Sequence, residues 1–102
     1  MDPADVAAVM AIQAEWLEAE RLGQADRIIR LCTDDIVMQG PGLSPRVGKL
    51  AVRALFPQEP GTVDVTISEV EIFGDKLMAV KTARFRTRQR DGMIVTGRHV
   101  WI

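Results

Sequence analysis

Several residue types that commonly build functional sites are scarce in this chain. It has one cysteine, Cys32, and one histidine, His99. A lone cysteine leaves no intrachain disulfide and no cysteine-based metal set. One histidine and one cysteine are also too few for the usual zinc ligand sets. We therefore expect no metal ion and no cofactor.

Long apolar runs and an excess of positive charge are lacking as well. No apolar stretch approaches the about 20 residues that a membrane-spanning helix needs, and Met1-Asp2-Pro3 does not open like a signal peptide. The formal net charge is -1, whereas a general nucleic-acid or membrane-surface binder needs an excess of Lys and Arg. We predict a cytoplasmic protein that binds neither nucleic acid nor a membrane.

The composition that is present is that of an ordinary globular protein. The 102 residues are 47% hydrophobic and 26% charged, values typical of globular chains. A chain of this length can bury one hydrophobic core. We predict a single domain that spans residues 1–102.

The first half of the chain has the patterns of three helices and a hairpin. Asp2 and Pro3 suit a helix start, apolar residues then recur at steps of three and four, and Gly23 suits a helix end. The predicted elements are a helix from Asp2 to about Leu22, a helix over 25–32, a strand over 35–39, a Pro/Gly turn at Gly40-Pro41-Gly42, and a helix from near Lys49 to Phe56.

Asp34 and Asp35 resemble a pair of catalytic carboxylates. Adjacent residues on a strand or turn point to different sides, so they do not easily share one substrate atom. Asp side chains also favour turns. We interpret the pair as a turn at the end of a helix.

The second half of the chain has the patterns of a β-sheet. Val63, Val65 and Ile67 alternate with polar residues, as in a strand with one buried face. In a second strand over 77–89, Leu77, Ala79, Ala83 and Phe85 share one side, and Thr82, Arg84, Arg86 and Arg88 share the other. A loop at 74–76 would set Val65 opposite Phe85, Ile67 opposite Ala83 and Asp64 opposite Arg86.

Arginines 84, 86, 88 and 90 invite comparison with a nucleic-acid-binding stripe. Such a surface usually carries stacking aromatics. Only Phe85 lies in this stretch, on the opposite side of the strand. We interpret the arginines as a solvated face or a face between subunits.

The turn before the last strand, 93–102, leaves two registers open. If Arg90-Asp91-Gly92 is a type I turn with Gly92 in a bulge, then Gly97, His99 and Trp101 face the same side as Phe85. If Asp91-Gly92 is a two-residue turn, Arg98, Val100 and Ile102 take that side. We favour the first register, because it buries Trp101 and sets the small Gly97 beside Phe85.

This order of elements resembles the nuclear transport factor 2-like superfamily, in particular its SnoaL-like branch. The resemblance covers the whole chain and implies an α+β, cone-shaped fold. In that fold N-terminal helices pack on a curved antiparallel sheet that encloses a ligand pocket, and two copies often pair through the sheet. The residues that carry it are Trp16, Ala19, Gly23, Asp26, the run 31–37, Pro41-Gly42, Arg46-Val47-Gly48, Ala51-Val52, the Asp91-Gly92 turn and His99-Val100-Trp101.

The working residues of the enzymes on this fold are not matched in this chain. Steroid isomerases use a tyrosine where this chain has Trp16 and an aspartate base where it has Gly40, and their second acid falls at or beside His99. Limonene epoxide hydrolases use an Asp-Arg-Asp set, for which no inward aspartates accompany Arg84 or Arg98. Relatives usually continue into one more strand, whereas this chain ends at Ile102.

The candidate site is an apolar pocket with one titratable group. We expect Trp16, Met38, Gly40, Phe85 and Trp101 to line the pocket. His99, whose ordinary pKa suits acid–base chemistry near neutrality, is the candidate catalytic residue, or else a histidine that only hydrogen-bonds within the sheet.

Two functions remain open for this pocket. One is a small-molecule-binding protein, or an isomerase-, cyclase- or hydrolase-type enzyme, for a small apolar carbonyl or hydroxyl compound. The other is a non-catalytic binding or dimerisation module whose own side chains fill the pocket. In either case an open strand edge predicts a homodimer through the sheet.

Overall fold

The computed structural model describes residues 1–40, 42–61 and 63–102 of the chain. It contains three helices and five strands in these ranges. They are α1 (Pro3–Arg21), α2 (Ala25–Ile29), β1 (Val37–Met38), β2 (Arg46–Val47), α3 (Lys49–Arg53), β3 (Val63–Gly74), β4 (Ala79–Gln89) and β5 (Ile94–Trp101).

Both ends of α1 form as the sequence predicts. The Asp2 carboxylate accepts a hydrogen bond from the Ala4 backbone N–H at 2.8 Å, which satisfies one of the free donors of the first turn. At the other end Gly23 has φ +68° and lies against the Glu59 backbone, where a Cβ would collide. Gly23 therefore both ends the helix and allows the later connector to approach it.

The strands form two separate antiparallel sheets, β1–β2 and β3–β4–β5. The first is the predicted hairpin, but each strand has only two residues, and α2 and α3 are shorter than expected. Pro41 of the predicted turn lies outside the described residues. Helices at the N-terminus and an antiparallel sheet confirm the α+β class.

The predicted register between β3 and β4 is wrong by two residues. Val65 lies opposite Thr87, Ile67 opposite Phe85 and Asp64 opposite Arg88. Two features absent from the prediction cause the shift. The β3–β4 pairing is interrupted between Ser68 and Glu71, where Glu69 has φ +51°, and the turn from Gly74 to Ala79 spans four residues rather than three. A shift of two keeps every side chain on its predicted face.

Residue Leu77 is the exception to that agreement. It lies in the turn before β4 and is 95% exposed, so it does not share a buried side with Ala79 and Ala83. The turn is held by the Asp75 carboxylate, which accepts hydrogen bonds from the Leu77 and Met78 backbone N–H groups at 2.8 and 3.1 Å.

The favoured register of the last strand is confirmed. Gly97 lies opposite Phe85, His99 opposite Ala83 and Trp101 opposite Lys81. Gly92 has φ +87° and closes a three-residue turn in which its N–H donates to the Gln89 carbonyl at 2.9 Å.

The core lies between the helices and one face of the large sheet, which we call the inner face. The inner face carries the alternate residues Ile67, Lys81, Ala83, Phe85, Gly97, His99 and Trp101. The opposite, outer face carries the arginines of β4 and β5. The fully buried apolar residues of the described chain are Ala19, Ala25, Ile28, Val52 and Ala83.

Candidate functional site

Five rings, from the inner face, from α1 and from the segment after α3, form a continuous aromatic stack. We define the stack as Phe85, His99, Trp101, Trp16 and Phe56. The His99 ring stacks on Phe85 and on Trp101 with centroids 6.3 and 5.2 Å apart. The helix side joins through Trp16, which lies 5.0 Å from Trp101 and meets Phe56 edge-on at 5.3 Å.

A lysine lies beneath this stack. Lys81 is 1% exposed, its Nζ lies 3.1 Å from His99 Nε2, and the same atom lies 3.6 Å from the centroid of the Trp101 ring. In the described part of the chain no carboxylate forms an ion pair with it. The Trp101 ring attracts the ammonium, but burial dominates and lowers the pKa of Lys81 from 10.5 to about 8.

The contact between Lys81 and His99 defines the state of the imidazole. An ammonium has only donors, so wherever Lys81 is charged and His99 is neutral, Lys81 Nζ donates to Nε2 and the ring proton lies on Nδ1. Burial, and then the positive charge of Lys81, hold the pKa of His99 below its ordinary value of 6.5. At neutral pH the pair is therefore an ammonium beside a neutral histidine.

Helix α1 adds polar groups to the other side of the aromatic stack. Trp16 Nε1 donates to Glu20 Oε1 at 2.9 Å, and burial raises the pKa of the Glu20 carboxyl above 4.5 although this bond opposes the shift. One turn before Trp16, Gln13 is buried, and its Oε1 has no hydrogen-bond partner among the described residues. Gln13 thus lies on the buried side of the helix, whereas its neighbour Ile12 is 39% exposed.

The structure brings four of the six predicted site residues together in one stack, and the other two belong to the β1–β2 hairpin. Trp16, Phe85, His99 and Trp101 all belong to the aromatic stack. Met38 is half-buried on β1, opposite Arg46. Gly40 follows that strand, and a Cβ built on it would meet Leu43 of the same hairpin at 3.4 Å. The roles of Met38 and Gly40 stay predictions.

Residue Lys81 is the member of the site that sequence reasoning missed. It occupies the position between Ala79 and Ala83 in the alternation that places Ala83 and Phe85 on the buried side. A lysine within such a pattern is itself a signal, because lysine is almost never fully buried without a partner. The two-residue alternation from Ala79 to Ala83 places Lys81 on the buried side of the strand.

Two surface depressions lie away from the aromatic stack. One depression of about 510 Å³ is lined by the start of α1 and the β3–β4 turn, including Asp5, Val9 and Met78. A second, of about 460 Å³, surrounds the start of α2, including Asp26 and Gln58. Neither is lined by a predicted site residue.

The other candidate groups do not assemble a site. Asp34 and Asp35 lie in an exposed turn as predicted, where Asp34 pairs with Lys49 at 3.3 Å. In residues 1–40, 42–61 and 63–102 no three His, Cys, Asp or Glu side chains come close enough to hold a metal ion. No helix within those same ranges is long and apolar enough to cross a membrane.

Comparison with protein families identifies the fold built around this stack. The model of the SnoaL-like domain matches residues 13–102, which include every ring of the aromatic stack and Lys81. The chain belongs to the SnoaL-like family. No sequence of a curated protein matches this SnoaL-like protein significantly.

Solved structures similar to the SnoaL-like protein lie in the ketosteroid isomerase and nuclear transport factor 2-like superfamily. A conserved protein from Planctomyces limnophilus is 24% identical with a TM-score of 0.77, over 97% of this chain and 82% of its own. The Δ5-3-ketosteroid isomerase from Mycobacterium sp. is 19% identical with a TM-score of 0.65, over 90% and 78%. An epoxide hydrolase of M. tuberculosis, described as LEH-like, is 16% identical with a TM-score of 0.62, over 88% and 67%.

These similarities show the fold and not the chemistry. One scaffold hosts many activities, and identities below 25% do not carry catalytic residues from one chain to another. The inner face of the SnoaL-like protein also holds a Lys–His pair where the sequence analysis expected only a histidine. Its function has to be argued from that pair.

Proposed function

We propose that this SnoaL-like protein binds a small apolar molecule with a carbonyl or hydroxyl group at its inner face, with Lys81 and His99 as the polar groups that receive it. The observation that carries the proposal is the 3.1 Å contact of Lys81 Nζ with His99 Nε2 under an aromatic stack. Burying an ammonium without a carboxylate costs folding free energy. A ligand oxygen that accepts from the ammonium would offset that cost.

The same pair supports acid–base chemistry of the isomerase, cyclase or hydrolase type. Lys81 is a proton donor with a pKa of about 8, close to the operating pH that favours proton transfer. His99, neutral at that pH, is a proton acceptor within hydrogen-bond reach. The buried amide of Gln13 and the Trp16–Glu20 pair supply polar groups on the helix side for orienting a bound molecule.

Binding can be tested with three compounds of one shape. Cyclohexanone, cyclohexanol and cyclohexane differ only in the oxygen, and the indoles of Trp16 and Trp101 report binding through fluorescence. We expect the two oxygen compounds to bind and cyclohexane to bind at least tenfold more weakly, since a good hydrogen bond to a charged group contributes about 1.5–3 kcal/mol. Equal affinity for all three would contradict a role for the Lys–His pair.

Two matched variants assign the binding to the inner face. His99→Ala should weaken the binding of cyclohexanone, and Asp35→Ala, in the exposed turn, should leave it unchanged. Loss of binding or turnover in a folded Asp35→Ala protein, with His99→Ala unaffected, would overturn the assignment.

The alternative is a non-catalytic module whose inner face is filled by its own rings. The packing of the aromatic stack favours it, because centroid separations of 5.0–6.3 Å are those of rings in direct contact. Under this alternative none of the three compounds changes the indole fluorescence, and native mass spectrometry detects no retained small molecule.

A homodimer through the sheet is a further part of the proposal. Strand β5 is at the edge of the sheet, and the edge that points away from β4 has no strand partner among the described residues. Next to this edge, on the outer face, Val100 is 61% exposed. A dimer of ordinary size would bury roughly 800 Å² per subunit. Sedimentation at tens of micromolar should show a dimer that Val100→Lys weakens and Thr66→Lys, on the distant strand β3, affects less. A monomer would contradict the proposed dimer.

A cytoplasmic location stays a prediction.

A further inference from the structure

We infer that Lys81 is a carbonyl-reactive lysine, which condenses reversibly with small apolar aldehydes and ketones at the inner face to form an imine. This inference rests on the proposed function, since the same face must admit the compound. It differs from that function in the bond formed. The proposed function needs Lys81 only as a hydrogen-bond donor, whereas an imine needs its nitrogen as a nucleophile.

The setting of Lys81 separates it from the two other lysines of the chain. Lys49 forms an ion pair with Asp34 at 3.3 Å, and Lys76 is exposed in the β3–β4 turn. Lys81 is 1% exposed and contacts a neutral imidazole and an indole ring instead of a carboxylate. Nearby negative charge favours the ammonium form, and desolvation favours the free amine that attacks a carbonyl.

The imidazole of His99 completes the chemistry without any other reactant. Lys81 passes one ammonium proton to His99 Nε2, and its nitrogen lone pair forms a bond to the carbonyl carbon. The attacking nitrogen, now positively charged, gives up one of its two protons, and the oxyanion takes up that proton to become a carbinolamine hydroxyl. His99 then returns its proton, so that the hydroxyl leaves as water and the nitrogen closes a protonated imine. The sum is one ammonium plus one carbonyl compound giving one iminium plus one water.

The surroundings of Nζ select compounds that are small and apolar. Nζ lies 3.6 Å from the centroid of the Trp101 ring and 3.1 Å from His99 Nε2, and Phe85 stacks on His99. These three rings are half-buried rather than buried, so a compound that reaches the lysine has to pass aromatic rings. The flexible four-carbon stem of lysine allows Nζ to move off the Trp101 ring toward a bound carbonyl. A charged aldehyde would lose its hydration on the same path.

The acid–base state of Lys81 supports this reactivity near neutrality. Burial lowers the pKa of Lys81 to about 8. At pH 8 about half of Lys81 is therefore a free amine, compared with less than about 1% for a lysine of ordinary pKa near 10.4.

Reductive trapping tests the inference directly. The folded protein is treated with butanal and sodium cyanoborohydride at pH 7.5, and peptides containing each lysine are quantified by mass spectrometry. We expect butylation of Lys81 to proceed at least tenfold faster than butylation of Lys49 or Lys76, and this preference to vanish in urea. Modification of Lys49 and Lys76 with Lys81 untouched in the folded protein would overturn the inference.

Three variants separate this inference from the proposed function. Lys81→Arg keeps the cation but cannot form the imine, and Lys81→Met serves if that variant does not fold. His99→Ala should slow the trapping of Lys81 at least tenfold and leave the rate of trapping at Lys76 unchanged. A lysine with only a structural role would not respond to the loss of His99 in this way. If wild type binds cyclohexanone yet gives no trapped Lys81, the inference is wrong and the proposed function stands. If it neither binds nor is trapped, both are wrong.

Discussion

On the outer face of the sheet Arg84 and Arg98 both donate to Glu69 Oε2, at 3.1 and 3.2 Å, whereas on the inner face Lys81 donates to a neutral histidine. The outer cations are more than half exposed and are screened by water and salt. The inner cation has exchanged water for the face of the Trp101 ring and a ring nitrogen of His99. One sheet therefore holds charge in two environments, which differ in hydration and in whether a carboxylate pairs with the cation.

The same contrast extends to the helices. Arg27 donates to Glu15 and Glu18 at 2.8 and 3.2 Å, and these bonds raise the pKa of Arg27 and stabilise its charged form. Burial acts on Lys81 in the opposite direction. A paired charge at the surface stabilises the fold slightly. The buried lysine lowers the stability of the fold, so stability does not account for its presence. Four substitutions test this comparison.

The largest expected effect is the loss of the ring that joins helix and sheet. Trp16→Ala removes the contacts with Trp101 and Phe56 and leaves Glu20 without its indole donor. We expect a loss of about 3 kcal/mol, the low end for removing a large aromatic side chain, because Trp16 is half-buried. Urea denaturation measures it. Trp16→Phe, which keeps a ring, should lose clearly less, and equal losses would show that the stack contributes little.

The next effect should have the opposite sign. Lys81→Met keeps the length of the side chain and removes the charge. Burial lowers the pKa of Lys81 from 10.5 to about 8, and each pKa unit corresponds to about 1.4 kcal/mol. We therefore expect the variant to be more stable than wild type by up to about 3 kcal/mol at pH 7. Lys76→Met, in the exposed turn, should change stability little. A less stable Lys81→Met protein would mean that the lysine stabilises the inner face.

The pH dependence sharpens that test. A lowered lysine pKa means that the unfolded chain binds the proton more strongly, so the wild type should gain stability as pH rises from 8 toward 10.5. The Lys81→Met variant should lack this gain. Burial raises the pKa of Cys32, which acts in the reverse direction. The quantity to compare is therefore the difference in unfolding free energy between wild type and Lys81→Met. The contribution of Cys32 is the same in both proteins and cancels in this difference.

A moderate effect should follow from filling the space beside Phe85. A Cβ on Gly97 would lie 2.9 Å from Phe85 Cζ, so the ring must shift within the aromatic stack. We expect Gly97→Ala to cost about 1–3 kcal/mol, as for other overpacked sites. Thr96→Ala, on the outer face of the same strand, is the matched control. A neutral Gly97→Ala would show that Phe85 has room to move.

The smallest effect belongs to the surface. Arg53 Nε donates to Asp26 Oδ1 at 2.6 Å and holds the pKa of that carboxyl below 3.8. A carboxyl of lowered pKa stabilises the fold above pH 3.8, and this contribution is lost as pH falls through the folded-state pKa. Arg53→Met should lower the melting temperature slightly at pH 6 and less at low pH or in high salt. A loss of stability as large as that of Trp16→Ala would show that the surface ion pair contributes as much to the fold as the packing at the inner face.

Local patterns determined the element types and the faces of the strands. The cap at Asp2, the end at Gly23 and the two-residue alternation in β3, β4 and β5 depend on neighbours in sequence, so they were visible without coordinates. The turn at Gly92 was readable for the same reason, and with it the side on which His99 and Trp101 lie. The resemblance to the SnoaL-like family came from such short patterns in the right order.

Tertiary structure decided which residues meet. The β3–β4 register depends on an interruption at Glu69, whose backbone conformation no local pattern announces, and on a turn one residue longer than predicted. The space around Trp101 brings together α1, β4 and β5, so the contacts of Lys81 with His99 and with the indole ring arise only when all three are in place. Burial is a property of that assembly, and it converts an ordinary lysine into one with a pKa near 8.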